Sequence, residues 1–143
     1  MIKLIIGPKG SGKTKKIHDM ANAAIETSNG NIVYIDCKGD HIYSLNYRIR
    51  LLNSNDYDIE TDLGLYGFVR GLIAGNNDIT TIFIDGVKKM TRKPLEELEG
   101  FFTHLVKFGK TLNTDFIFTI SCAEDELPAY FKNMLKNKEA VKI

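Results

Sequence analysis

Cysteine is scarce, tryptophan is absent and proline occurs three times in these 143 residues. The two cysteines, Cys37 and Cys122, stand far apart and lack metal-ligand spacing. They exclude a disulfide framework and fit free thiols in a reducing cytoplasm. No apolar run approaches the ~20 residues of a membrane-spanning helix. The opening run, Ile2 to Ile6, is too short for a signal peptide and passes straight into a glycine-bearing loop. A net charge of +1 gives no overall pull toward nucleic acid or a membrane surface. Internal repeats and low-complexity segments are also missing. What is present is the mixed apolar and charged composition of a globular protein. A chain of this length buries roughly 70% of its unfolded surface, so one domain over residues 1–143 is expected.

The most specific stretch is Gly7-Pro8-Lys9-Gly10-Ser11-Gly12-Lys13-Thr14. It fits G-x-x-x-x-G-K-[ST], the Walker A pattern, at every fixed position. An apolar run leads in and a helix-compatible stretch, residues 13–28, leads out. That is the strand–loop–helix context the pattern needs. Glycines let the loop turn tightly and bring backbone N–H groups against phosphate oxygens. The following helix adds unpaired N–H groups and the positive end of its dipole. Lys13 is expected to reach the β- and γ-phosphates, and the Thr14 hydroxyl to ligate Mg²⁺.

Apolar runs at 3–6, 31–36, 79–84, 115–121 and 140–143 read as five strands. Their continuous hydrophobicity suits parallel strands covered on both faces. Between them, Ile17, Met20, Ala21, Ala24 and Ile25 form one helical stripe, with His18 expected to face solvent. Asp40 is expected to cap a helix carrying Ile42, Leu45, Ile49 and Leu52. Asp62 is expected to cap another with Leu65, Phe68, Val69, Leu72 and Ile73. A short basic loop, then Pro94 opening a helix to about Lys110, and a last helix after Pro128 complete the chain. Strands and helices alternate throughout, which predicts an α/β three-layer sandwich with a mainly parallel sheet. Ligands of such sheets bind beyond the carboxyl ends of the strands. Gly7, Asp36, Asp85 and Ser121 all lie at such ends.

Thr80-Thr81-Ile82-Phe83-Ile84-Asp85 is an apolar strand closed by a carboxylate. After a Walker A loop it reads as Walker B, with Asp85 holding Mg²⁺ opposite Thr14. With both motifs the chain resembles the P-loop nucleoside triphosphatases, and more narrowly their RecA-like branch. The Gly7-Pro8 opening, the Ser11-Gly12-Lys13-Thr14 close, Tyr34-Ile35-Asp36-Cys37-Lys38 and Ile84-Asp85-Gly86-Val87 carry that resemblance. Numbering the predicted strands in chain order, it implies a sheet order 5-1-4-3-2. It also implies a polar probe of the γ-phosphate near the end of the fourth strand, Thr119 or Ser121.

Two departures stand out. The branch polarises the attacking water with a Glu where this chain has Lys38, and other branches place a Glu where it has Gly86. Asp36, Asp40 and Glu124 are the substitute carboxylates in view. Guanine-reading and thymidine-kinase signatures are not met, so ATP is the nucleotide by elimination. Arg92, in a basic run from Lys88 to Lys93, is the candidate finger for a neighbour's γ-phosphate, with a solvated loop as the plainer reading. Tyr43, Tyr47, Tyr57 and Tyr66 could flank a base or pack under a loop. The expectation is a cytoplasmic, Mg-ATP-binding protein with ATP and Mg²⁺ as cofactors. Lys13 and Asp85 are its catalytic residues, Gly7 to Thr14 bind nucleotide, and Thr14 and Asp85 bind metal. Weak or partner-dependent ATPase activity is expected. The alternatives are a nucleotide-gated interaction module and a small-molecule kinase. A homo-oligomer or protein partner stays open; nucleic acid and membrane are not indicated.

Overall fold

Alternating side chains along the buried strands split the core in two. In the computed structural model, which describes residues 1–39 and 44–143, Ile82 and Ile84 join one apolar cluster while Phe83 between them joins the other. Phe116, Phe118 and Ile120 likewise face away from Ile117. Each cluster is roofed by helices, which gives three layers.

The elements run β1 (Ile2–Gly7), α1 (Lys13–Thr27), β2 (Asn31–Asp36), β3 (Arg50–Asn53), α2 (Asp62–Gly75) and β4 (Ile79–Ile84). Then come α3 (Val87–Thr91), α4 (Glu99–Gly109), β5 (Asp115–Ser121), α5 (Ala129–Lys136) and β6 (Ala140–Lys142). The sheet order is β3-β2-β4-β5-β1-β6, and every described pairing is parallel. α1 packs on one face through Ile17 and Ala21, against Ile5, Ile32, Tyr34 and Phe83. The other four helices supply the opposite cluster, where Phe102 sits 4.6 Å from Phe131 and 5.0 Å from Phe118, ring centroid to centroid. Full burial of one such side chain contributes about 1.5–3 kcal/mol. Among the described residues no helix is long and apolar enough to cross a membrane.

The expected five-strand order is corrected to six strands. The added strand, β3, comes from the segment read as a helix after Asp40. Asn46 breaks that helix: its side chain accepts from Arg48 N–H at 2.9 Å, and its carbonyl accepts from Ile49 N–H at 3.0 Å. The chain then extends, with Leu51 packing toward one cluster and Leu52 buried in the other. Asp40, Ile42, His41 and Tyr43 lie outside the described residues.

Three smaller corrections follow from local chemistry. Thr61, not Asp62, caps α2, its hydroxyl accepting from Gly64 N–H at 2.9 Å. Pro94 precedes a single 3₁₀ turn, Leu95–Glu97, and α4 begins only after the buried Leu98. His18 does not face solvent: it is 8% exposed, its ring lies edge-on to Tyr34 at 5.2 Å, and its Nδ1 is 3.1 Å from Ser44 Oγ.

Candidate functional site

The carboxyl ends of β1, β2, β4 and β5 open onto one cleft of about 880 Å³. Gly7 pairs in register with Ser121, and Cys122 N–H donates to the Gly7 carbonyl at 3.0 Å, so the loop after β1 starts beside the end of β5. Gly10 and Gly12 take φ of +82° and +86°, a region side chains disfavour, which explains glycine at both. A Cβ on Gly7 would lie 2.5 Å from Ser11 Oγ, so the loop folds closely upon itself. Gly12 is also the N-cap of α1 and offers no side-chain acceptor to the first-turn N–H groups.

Lys13 Nζ donates to the Pro8 carbonyl at 2.8 Å and lies 3.5 Å from Ser11 Oγ, arching across the loop. Partial burial pulls its ammonium pKa below the usual lysine value, while the Asp85 carboxylate opposes that shift. Asp85 continues the β4–β2 ladder by donating its N–H to the Ile35 carbonyl at 3.0 Å.

Three hydroxyls converge on the Asp85 carboxylate. Thr14 Oγ1 donates to Oδ2 at 3.1 Å, Tyr34 to the same oxygen at 3.2 Å, and Thr119 Oγ1 to Oδ1 at 2.6 Å. Thr119 is itself held, accepting from Gly86 N–H at 3.2 Å. Burial first, then the Asp85 charge and hydrogen bond, push the Tyr34 phenol far above the ordinary tyrosine range. It is a proton donor at any ordinary pH.

The structure thus brings Lys13, Thr14 and Asp85 together in one cleft. Pro8, Lys9, Gly10 and Gly12 line it too, and Gly7 and Ser11 complete the loop. Of the two fourth-strand candidates, Thr119 is buried and committed to Asp85, whereas Ser121 is exposed on the cleft wall. Lys38 and Asp36 both line the cleft, and Asp36 Oδ1 accepts from Gly39 N–H at 3.2 Å. Glu124 instead pairs with Lys142 at 2.5 Å, and Arg92 with Glu60 at 3.3 Å. Neither is among the described residues that line the cleft.

Sequence reasoning missed Tyr34, which it counted as strand core. The signal was a lone hydroxyl in an otherwise aliphatic strand, two residues before Asp36. Tyr57 and Tyr66 pack against Phe68 and Phe101 rather than line the cleft, while Tyr47 is 93% exposed. The chain matches no protein-family model, and a search of curated proteins returns no match to it.

Proposed function

We propose that the cleft binds Mg-ATP, with the chain acting as a RecA-like P-loop protein of weak or partner-dependent ATPase activity. The observation that carries this reading is the 3.1 Å approach of Thr14 Oγ1 to Asp85 Oδ2, two groups 71 residues apart in sequence. A hydroxyl and a carboxylate at hydrogen-bond distance, beside a glycine loop and a lysine, suit a hard cation bridging to phosphate oxygens. Thr14 and Asp85 would hold Mg²⁺, Asp85 through water, and the cation would neutralise charge on the phosphates. Lys13 would exchange its bond to Pro8 for one to the β- and γ-oxygens. Backbone N–H groups from Pro8 to Thr14 would line the phosphates.

Low turnover follows from what flanks the site. Lys38 is a cation on the cleft rim where a water-orienting carboxylate is expected, and Gly86 carries no side chain. The same lysine favours the second reading, a nucleotide-gated interaction module, whose partner could be another copy of the chain or another protein. A cytoplasmic location belongs to either reading.

Titration calorimetry on Lys13→Ala tests the assignment. ATP affinity is expected to fall by at least about tenfold, the worth of one charge-assisted phosphate contact, with the fold intact by circular dichroism. Unaltered affinity would remove the phosphate role of the loop. Steady-state hydrolysis by the wild-type chain near or above ~1 s⁻¹ would contradict weak turnover.

A further inference from the structure

The basic run after Asp85 divides in two. Arg92 and Lys93 turn away to Glu60 at 3.3 Å and Asp62 at 3.1 Å. Lys88 and Lys89 are exposed and line the cleft. The division is fixed by packing. Val87, Met90 and Thr91 are buried, and Thr91 Oγ1 donates to the Val87 carbonyl at 2.8 Å, so α3 can turn only residues 88 and 89 outward. Gly86, at φ +98°, makes the sharp turn that starts α3 directly after Asp85.

The two lysines spread to either side of Asp85. Lys88 Nζ donates to the Ser121 carbonyl at 3.4 Å, toward the end of β5. The Lys89 charge acts on the Cys37 thiol, toward the end of β2. The glycine loop follows β1, and β5 lies between β1 and β4. Two inter-strand steps, roughly 10 Å, therefore separate the loop from the start of α3. β5 spans that separation, and at its end the cleft is lined by the loop together with Lys88 and Lys89.

Building on the Mg-ATP reading, we infer that Lys88 and Lys89 are terminal-phosphate ligands supplied by the same chain, which make the cleft selective for nucleoside triphosphates over diphosphates. Among the described residues, the cleft carries Lys9, Lys13, Lys38, Lys88 and Lys89 against Asp36, Asp85 and Glu126, an excess of two positive charges, five minus three. Mg-ATP carries roughly two net negative charges and Mg-ADP roughly one, so the excess matches the triphosphate.

Calorimetry on the full chain with Mg-ATP and Mg-ADP tests this. Wild type is expected to prefer ATP about a hundredfold, at about tenfold per cation. Lys88→Gln combined with Lys89→Gln is expected to cut the preference at least about tenfold and leave ADP affinity in place. Lys88→Arg with Lys89→Arg is expected to keep it. Both lysines are exposed, so the fold is not at risk. An undiminished preference in the glutamine variant overturns the inference, as does an equal loss for ATP and ADP, which would mean general attraction only. Equal binding of both nucleotides by wild type sinks the inference alone. Binding of neither sinks the Mg-ATP reading and the inference with it.

Discussion

The hydroxyl of Tyr34, a fully buried side chain of β2, lies 3.2 Å from Oδ2 of Asp85, the residue that follows the neighbouring strand β4. The bond holds the carboxylate from β2 while Thr14, in the first turn of α1, meets the same oxygen. It also ties the phenol's proton to the fold. The folded phenol has a raised pKa, and the unfolded one ionises near the ordinary tyrosine value of about 10. Between those values the native state holds a proton that the unfolded state has lost. Tyr34 therefore contributes stability that is complete below about pH 10 and declines as pH rises further, by about 1.4 kcal/mol per pH unit.

Tyr34→Phe removes that dependence. At neutral pH it should cost about 1.5–3 kcal/mol, the usual worth of a hydrogen bond to a charged group. Above about pH 10 the gap to wild type should narrow, because wild type alone loses the Tyr34 contribution. Tyr130, also shifted upward by burial, is common to both chains and cancels. Urea unfolding at about pH 8 and about pH 11 measures the gap; parallel losses at the two values would show that the phenol is not the group responsible.

Thr119 does two jobs with one oxygen, donating to Asp85 and accepting from Gly86 N–H. Thr119→Val keeps the shape and deletes both bonds. A fully buried N–H without an acceptor costs about 1–3 kcal/mol, and the half-buried Gly86 N–H falls toward the low end. Thermal unfolding should drop accordingly, and Mg-ATP affinity should fall because Asp85 loses one of its three hydroxyl donors. Thr119→Ser should behave like wild type in both measurements. A valine variant as stable as wild type would mean that water satisfies Gly86.

Much of this was legible in the chain because the strands are nearly unbroken apolar runs. Residues 79–84 are read and observed as the same strand, and residues 115–121 likewise. The approach of Thr14 to Asp85 was legible for a related reason: both follow strands whose carboxyl ends share one edge. What stayed hidden depended on contacts distant in sequence. Leu45, Ile49 and Leu52 are spaced three and four apart, which suits a helix as well as a turn followed by a strand. Only the bonds made by Asn46 and the pairing of Val33 to Asp36 with Arg50 to Asn53 choose the strand. Tyr34 looks like a core residue until the sheet sets it beside Asp85, and Thr119, expected to probe the γ-phosphate, is bonded to that same carboxylate. His18 looks solvent-facing until its ring meets Tyr34.

Lys38 gives the sharpest chemical test. The turn that carries it is pinned: Asp36 Oδ1 accepts from Gly39 N–H at 3.2 Å, and Asn55 Nδ2 donates to the Cys37 carbonyl at 2.9 Å. Gly39, at φ +71°, closes the turn, and a Cβ there would come within 2.8 Å of Asn53 Nδ2. A side chain at position 38 is thus held on the cleft rim, beside the end of β2. An ammonium there cannot accept a proton from water, whereas a carboxylate can, and positioned acid–base groups contribute about 10²–10⁴-fold. Lys38→Glu is expected to raise phosphate release at saturating Mg-ATP by at least about tenfold. Affinity should weaken somewhat, because a cation facing the phosphates has become an anion. Measuring turnover at saturation separates the two effects. No gain in turnover would mean that position 38 does not face the attacking water, and that the likeness of β2 to the RecA-like strand fails at that residue.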